Sequence, residues 1–573
     1  MSRTLAASIV RTTLVSATRS SKSAARIALL PAASRRNDVK WPCNTVSIST
    51  RSYTSSTNHA EPRFEHPALN QLKEDLTVLQ PCFGVRGDEI DVLFEPADFH
   101  QRLLSLIRKA KRRILISALY IGTEQGELIE ALREALTNNP HLRVSIITDL
   151  LRSTREQSPK PSTATMLLPL VAEFPDRVDA CFYRSPKLKG LMERIVPRRY
   201  DEGWGLWHCK WYGVDDEVIF SGANLSDTYF TNRQDRYYHI KNQPSILSYL
   251  YSLQRLYSSY AYRLSANPQP SSSPHHLIPL TPLPDYVPKT SNAKPALVWP
   301  EPSVHPRYFS NHALATITAF QRVWREIRRG RRVDVDTWIF PMIQGGALGV
   351  GEEERGVGRF LACAEEMLPD AAVVQGSGQG AQVDLTSGYF GLYHTYKKAV
   401  LEGKAPYRIV AASPEANGFF GSAGVSRLIP EGYTLLESQF HRDLVRRGRD
   451  WATRSDGSGS GVELNEWKRE GWTYHAKGIW LSPAGPSGSS TPQKPCATFI
   501  GSSNLSTRSM KLDLELSNII LTTSNELRTK MAAELGNIRS HSERVGEETW
   551  KLPERRISLY ARILMMLGVE GML

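Results

Sequence analysis

Apolar residues recur at helical spacing and then in short runs, twice over, along this chain. Phe99, Leu103, Leu106 and Ile107 mark one face of a helix ending in the basic run Arg108-Lys109-Ala110-Lys111-Arg112-Arg113, whose cations suit the carbonyl end of the helix dipole. Ile114 to Ile121 then reads as a strand, Glu127 to Leu136 as a helix and Arg143 to Thr148 as a second strand. The pattern restarts beyond residue 300. Ile317, Phe320, Trp324 and Ile327 line a helix ending in Arg328-Arg329-Gly330-Arg331-Arg332, and the strand Val333 to Phe340 follows. A helix from Tyr389 to Leu401 leads to the strand Arg408 to Ala412. Helices alternating with short apolar strands predict an α/β protein of two layered halves.

The intervals between these patterns set the expected organisation. Residues 57–80 read as a connecting segment. Residues 265–300, with Asn267-Pro268-Gln269-Pro270 and the stretch Ser271 to Pro274, read as a Pro/Ser-rich linker. The first half is then expected over 81–264 and the second over 301–573. Gly/Ser-rich stretches at 344–351, 375–380 and 455–461 are expected as loops on this scaffold.

A short polar motif also occurs twice. His208-Cys209-Lys210 is followed by Ser221-Gly222-Ala223-Asn224-Leu225-Ser226, and His475-Ala476-Lys477 by Gly501-Ser502-Ser503-Asn504-Leu505-Ser506. Eleven positions beyond each Asn stands an acid, Asp235 and Glu515. The His-to-Asn spans are 16 and 29 residues, and the difference matches the Pro/Gly/Ser-rich stretch Pro483 to Pro495, a surface insertion. In a strand, His208 and Lys210 share one side and Cys209 the other, as do His475 and Lys477 around Ala476. Neither copy holds a complete reaction centre, so the two halves are expected to meet at one seam.

These residue types suit chemistry at phosphorus. Lys210, Lys477, Asn224, Asn504 and Ser502 are candidate donors to the non-bridging oxygens of a phosphodiester or pyrophosphate. One neutral imidazole can attack phosphorus while the other gives its proton to the leaving group and then takes one from the acceptor. Asp235 and Glu515 are expected behind the imidazoles, each receiving a ring N–H and fixing the tautomer. No Cys/His/acid spacing calls for a metal, no cofactor is expected, and no P-loop sequence is present.

Charge and cysteines narrow the setting. The chain has 573 residues and a formal net charge of +13. The first 55 residues hold nine Arg/Lys and one acid, Asp38, a net +8 that leaves about +5 on the rest. Arg, Ser, Ala and Thr with almost no acid make residues 1–56 resemble a mitochondrial presequence, with cleavage expected between Arg51 and Ser56. With most of the excess charge in that leader, the strongly basic groove of a nucleic-acid binder is not expected, and no nucleic-acid partner is. Cysteines 43, 82, 181, 209, 363 and 496 are scattered, as in free thiols of a reduced compartment. No run reaches the roughly 18 apolar residues that span a bilayer, so membrane contact is expected to be peripheral. The tail Ile557 to Leu573 suits either docking on lipid or an ordinary core helix.

With these residues in view the chain resembles the phospholipase D superfamily, whose signature is His-x-Lys, four residues, Asp, then a Gly/Ser turn with Asn. The first copy matches through Asp215, which the resemblance adds to His208, Lys210, His475 and Lys477 as a catalytic-motif residue. The second copy has Ser482 where that Asp is expected. Within the superfamily the chain is most similar to the eukaryotic mitochondrial phosphatidylglycerophosphate synthases, through Trp207 to Lys210, Tyr229 to Tyr237 and Tyr474 to Gly478. That resemblance covers roughly residues 80 to 570. It implies two duplicated phospholipase D-like halves around a shared active site. It also implies phosphatidyl transfer from CDP-diacylglycerol to sn-glycerol 3-phosphate at the matrix face of the inner membrane, on the cardiolipin pathway. By the family's pattern His208 is the nucleophile and His475 the acid/base, with the reverse left open. Arg233 and Arg236, and less directly Arg152 and Arg155, are candidates to hold the anionic substrates. The residues alone also fit a phosphodiesterase or nuclease of the superfamily, a cardiolipin or phosphatidylserine synthase with another acceptor, or a non-catalytic scaffold.

Overall fold

The computed structural model describes residues 62–566, except 197–199, 270–272, 274, 287–293, 329–333, 369–380, 452–460 and 486–492. The expected presequence, the loop 375–380, most of the loop 455–461 and the end of the C-terminal tail therefore lie outside the described residues. What is described forms two ten-stranded sheets with helices around them. The first sheet has a parallel set, Arg113–Ser117, Arg143–Asp149 and Val178–Tyr183. The antiparallel strands Trp211–Val214, Glu217–Ser221, Tyr237–Ile240 and Ile90–Leu93 continue from Arg113–Ser117.

The second sheet repeats that order. Gln382–Ser387, Tyr407–Ala412 and Val462–Trp467 are parallel. Lys477–Ser482, Ala497–Gly501, Leu514–Thr522 and Thr337–Gly345 then run antiparallel. Strand for strand the halves match, so the α/β fold is a duplicated one. Ile146 and Ile147 of the first sheet, like Ile409 and Val410 of the second, are buried on successive positions, which requires cover on both faces of each sheet.

This order corrects the sequence register of the repeat. The expected strand Val333 to Phe340 is Thr337–Gly345 in the structure, and it corresponds to Ile90–Leu93 rather than to Arg113–Ser117. Its strand runs into part of the expected loop 344–351, where a 3-10 turn and the short strand Val350–Gly351 follow. The helix after it, Glu352–Glu366, has Val357, Phe360, Leu361 and Ala364 buried, but Gly356 and Gly358 weaken its helical signature. The helix lined by Ile317 and Trp324, Ser310–Arg328, instead packs against the first half, where Trp324 meets Tyr249 and Phe83.

Two connecting regions are built into the sheets. Residues 57–80 contain the helix Pro67–Leu79, entered through a His66 cap and Pro67, with Leu69, Leu72 and Leu76 buried in the core of the second half. Phe83–Val85 then pairs with Thr337–Gly345 before the chain enters the first sheet at Ile90. Within 265–300, Leu277–Pro279 and Ala296–Val298 extend the first sheet beyond Ala261–Ser265. Each half is thus laced to the other through chain that sequence composition marks as a connection.

Candidate active site

The seam is made by two matching backbone steps. His208 N–H donates to Leu514 O (2.9 Å) and His475 N–H to Gln234 O (2.8 Å). Leu514 and Gln234 each precede an acid, Glu515 and Asp235, so every His-x-Lys segment is paired beside the acid of the opposite half. Alternation does the rest. Trp207 is anchored by Asp149 (2.9 Å) and Ser117 (3.1 Å), Cys209 is buried, and His208 and Lys210 face the cleft. In the second copy Ala476 is buried between His475 and Lys477.

The acids cross over. His208 Nδ1 lies 2.9 and 3.0 Å from the Glu515 carboxylate, and His475 Nδ1 lies 2.6 Å from Asp235 Oδ2. A carboxylate only accepts, so in each pair the ring N–H belongs on Nδ1; the Nε2 lone pair of His208 then meets no described protein group, while that of His475 lies 3.3 Å from both Tyr229 OH and Lys477 Nζ. Burial, helped by Lys210, pushes His208 well below the usual imidazole value; burial and then Lys477 do the same to His475. Burial also raises the carboxyl of Asp235, and that of Glu515 to about 7. Desolvation lowers Lys210 to about 7 and Lys477 to about 8. A seam this dry strengthens every charge that an anionic ligand would meet.

The remaining expected residues divide sharply. Lys210 Nζ donates to His208 O (2.8 Å), whereas Lys477 Nζ stands 2.6 Å from His475 Nδ1. Gly222 permits that approach, since a Cβ there would lie 2.7 Å from both Asp235 Oδ1 and Lys477 Cδ. Asn224 is bound through its oxygen to Leu119 N–H (3.2 Å) and through its amide to Tyr229 OH (3.1 Å), while the oxygen of buried Asn504 has no partner among the described residues. Ser502, expected to face phosphate, gives its hydroxyl to Glu515 and accepts from Leu516 N–H (3.2 Å), so it holds the carboxylate instead.

Three other expectations are corrected. Asp215 is not in the seam. It sits at φ +53° in the hairpin after Val214 and accepts from the backbone of Lys111, Arg112 and Arg113 at 2.8 to 3.1 Å. Arg236 is fully buried on Trp480 (3.8 Å), with Glu534 (2.8 and 3.0 Å), Phe499 O and Thr498 taking its protons. Arg155 is paired with Glu202, its Nε 2.6 Å from the carboxylate. These two guanidiniums are spent on the protein's own acceptors, a use that a sequence does not reveal. Arg152 lies over the Tyr120 ring (4.3 Å) and touches none of the reacting groups.

Arg233 is different. Its Nε donates to Thr473 (2.9 Å), its guanidinium lies 4.5 Å over the Tyr229 ring, and among the described residues no carboxylate pairs with it. Tyr229 OH is 3.3 Å from His475 Nε2, and the ring of Tyr389 stands edge-on to His475 at 5.6 Å. Spacing reads Tyr389 as the start of a helix, which begins at His394 in the structure, and does not mark Asp513. Asp513 holds the position two before Glu515 that Arg233 holds before Asp235. Asp513 accepts from Leu206 N–H and from Arg508, both at 2.9 Å. One donor atom from each of His208, Asp513 and Glu515 falls within 4.8 Å of the others, yet both carboxylates are already committed to protein donors.

Comparison with known proteins agrees with this geometry. No protein-family profile matches the chain. The chain is 35% identical over 508 residues to the CDP-diacylglycerol–glycerol-3-phosphate 3-phosphatidyltransferase of Saccharomyces cerevisiae, covering 86% of this chain and 90% of that one. It is 33% identical over 499 residues to the protein of that name from Schizosaccharomyces pombe, covering 82% and 93%. The human protein so named, described as mitochondrial, is 33% identical over 499 residues, covering 85% and 83%. Among solved structures, a phosphatidylserine synthase from Haemophilus influenzae shares the fold, with TM-score 0.59 at 18% identity over 88% of this chain and 98% of that one. With a duplicated phospholipase D-like fold and relatives at this identity over most of its length, the chain belongs to the CDP-diacylglycerol–glycerol-3-phosphate 3-phosphatidyltransferase family.

Proposed function

We propose that this chain is a phosphatidylglycerophosphate synthase, transferring a phosphatidyl group from CDP-diacylglycerol to sn-glycerol 3-phosphate and releasing CMP. The observation that carries the reading is the pair of crossed imidazole–carboxylate contacts, one from each half. His208 Nε2 attacks the phosphorus that bears the diacylglycerol, forming a P–N bond as the P–O bond to CMP breaks. No described protein group bonds that nitrogen, whereas His475 Nε2 meets Tyr229 OH at 3.3 Å. This supports His208 as nucleophile and His475 as acid/base.

The pyrophosphate brings negative charge that offsets Lys477 and Arg233, so His475 can carry the proton it delivers to the departing CMP oxygen. His475 then takes the proton of the acceptor hydroxyl. A new P–O bond forms, the P–N bond breaks, and phosphatidylglycerophosphate leaves. Lys210, Lys477, Asn224 and Asn504 stabilise the phosphoryl oxygens. Arg233 holds the phosphate of the acceptor on the His475 side of the seam.

We place the enzyme peripherally at the matrix face of the mitochondrial inner membrane. The basic leader and the mitochondrial relatives from chicken and human support this. The same resemblance supports a halved organisation at 81–264 and 301–573, although the helix of the first connection packs in the core of the second half and the strands of the linker join the first sheet. The deciding experiment offers purified protein CDP-diacylglycerol with water, serine, phosphatidylglycerol or glycerol 3-phosphate, and follows CMP and the lipid formed. Phosphatidylglycerophosphate from the last alone is expected. CMP released equally fast with water would make the protein a hydrolase and overturn the reading.

A further inference from the structure

The stretch between the strand Val178–Tyr183 and His208 carries a surface that the active site does not use. The short helix Leu191–Ile195 turns Leu191 (68% exposed), Met192 and Ile195 (57%) to solvent. Tyr308, 66% exposed, joins them through Lys189, whose Nζ lies 4.8 Å over its ring. Large apolar side chains gathered this way on a surface mark a contact with something else.

The charges around them are of one sign. Lys187, Lys189 and Arg194 are exposed. The only acid between Lys187 and Val196 is Glu193, and its carboxylate is turned inward to Arg184 (2.8 Å) and Arg307 (2.6 Å). An apolar tip bordered by exposed cations, with its acid neutralised from behind, is complementary to an anionic lipid surface, where cations meet headgroups and apolar side chains enter the acyl boundary.

The stretch is also continuous with the reaction centre. Beyond Tyr200 the chain is fixed along the seam: Glu202 binds Arg155 and gives its carbonyl to Arg508 (2.9 Å), and Leu206 N–H binds Asp513. His208 follows two residues later. We propose that the segment Lys187–Ile195, with Tyr308, is the docking surface by which this protein seats its active-site seam on an anionic phospholipid bilayer. The proposal rests on the lipid-substrate reading above and deepens it, because a diacyl donor is delivered from that same bilayer.

The test uses the full chain and flotation with vesicles of phosphatidylcholine alone or with phosphatidylglycerol. Wild type is expected to float only with the anionic vesicles. Leu191→Asp/Met192→Asp/Ile195→Asp should reduce flotation at least about tenfold, and each of Lys187→Ala, Lys189→Ala and Arg194→Ala about fivefold at low salt. All these positions are exposed, and turnover of CDP-diacylglycerol dispersed in detergent micelles should stay near wild type in every variant. Undiminished flotation of the triple variant overturns the proposal. So does its loss only in Leu559→Asp/Tyr560→Asp/Ile563→Asp on the C-terminal helix, which would make that tail the anchor. A wild-type dimer that the triple variant dissociates, with no vesicle binding, would assign the face to a second copy and also overturn it. Failure of the enzyme reading is seen separately, as micelle turnover absent from wild type whatever the flotation shows.

Discussion

His208 and His475 enter the seam through the same backbone step, yet their ring nitrogens meet different neighbours. Around His208 stand Glu515, held by Ser502, and the Asp513–Arg508 pair, while Lys210 donates to the backbone carbonyl of His208. Around His475 stand Asp235, Lys477 at 2.6 Å, Tyr229, and Arg233, which pairs with no carboxylate among the described residues. Position for position, Arg233 in one half answers to Asp513 in the other. The duplicated frame is symmetric, and at this offset it carries a guanidinium on one side and a carboxylate paired with Arg508 on the other. A two-step transfer needs such asymmetry, since one imidazole must bond phosphorus while the other handles protons and an anionic acceptor.

The sharpest way to test that division is to remove each imidazole. His208→Ala and His475→Ala should each lower transfer by on the order of 10⁴-fold or more with the fold intact. They should part company when labelled CDP-diacylglycerol is added without acceptor and the protein is quenched in alkali. Slow covalent lipid label is expected on the His475 variant and none on the His208 variant. The opposite labelling would exchange the two roles.

Next in size are the crossed carboxylates. Glu515→Gln and Asp235→Asn keep shape but lose the charge behind the ring, and a drop of about 10- to 100-fold in kcat is expected for each. Because each acid serves the imidazole of the opposite half, Glu515→Gln should suppress covalent labelling at His208. Asp235→Asn should spare labelling more than overall transfer. Equal effects on both steps would mean that the half-sites are not functionally distinct.

Sequence made the chemical pieces plain and hid their wiring. His-x-Lys, the Asn turn and the acid are local patterns, and their repetition at a fixed offset gave them weight. The crossing of Glu515 to His208 joins residues 307 positions apart, which no local spacing records. Composition likewise misreads Pro67–Leu79, where Leu69, Leu72 and Leu76 have core spacing in a stretch that precedes the expected domain. Arg155, Arg233 and Arg236 are alike as letters. Only the positions of Glu202 and Glu534 separate two guanidiniums paired with acids from the one that pairs with no described carboxylate.

That guanidinium sets a further test. An ionic hydrogen bond to phosphate contributes about 1.5–3 kcal/mol, so Arg233→Ala should raise KM for glycerol 3-phosphate by roughly 10- to 100-fold. The rate of isotope exchange between CMP and CDP-diacylglycerol, which needs no acceptor, should change far less. If exchange falls as much as transfer, Arg233 holds the donor pyrophosphate. A smaller effect is expected in the pH profile. A lysine whose charge is required loses it as pH rises through its pKa, and burial has brought Lys477 down to about 8. With Lys210 at about 7 and Lys477 at about 8, kcat/KM should therefore fall in two steps above about pH 7, and Lys477→Arg, although slower, should lose the upper one. An unchanged upper step would assign the titration to another group.

The smallest catalytic effect is expected where the superfamily motif is most familiar. Asp215 fastens the hairpin after Val214 by accepting three backbone N–H groups of Lys111, Arg112 and Arg113. Its counterpart Ser482 is buried at the end of a strand, where the chain runs into the Pro/Gly/Ser-rich insertion instead of a tight turn. Asp215→Ala should then cost about 1–3 kcal/mol of stability, read from the denaturant midpoint, while kcat/KM of the folded enzyme stays near wild type. Ser482→Asp should not improve activity, because a carboxylate buried there gains no ring of amides and is destabilising by a similar amount. A rise in turnover in Ser482→Asp, or a fall in Asp215→Ala beyond its loss of folded protein, would show that the acid reaches the chemistry after all and that the two copies differ in more than their loops.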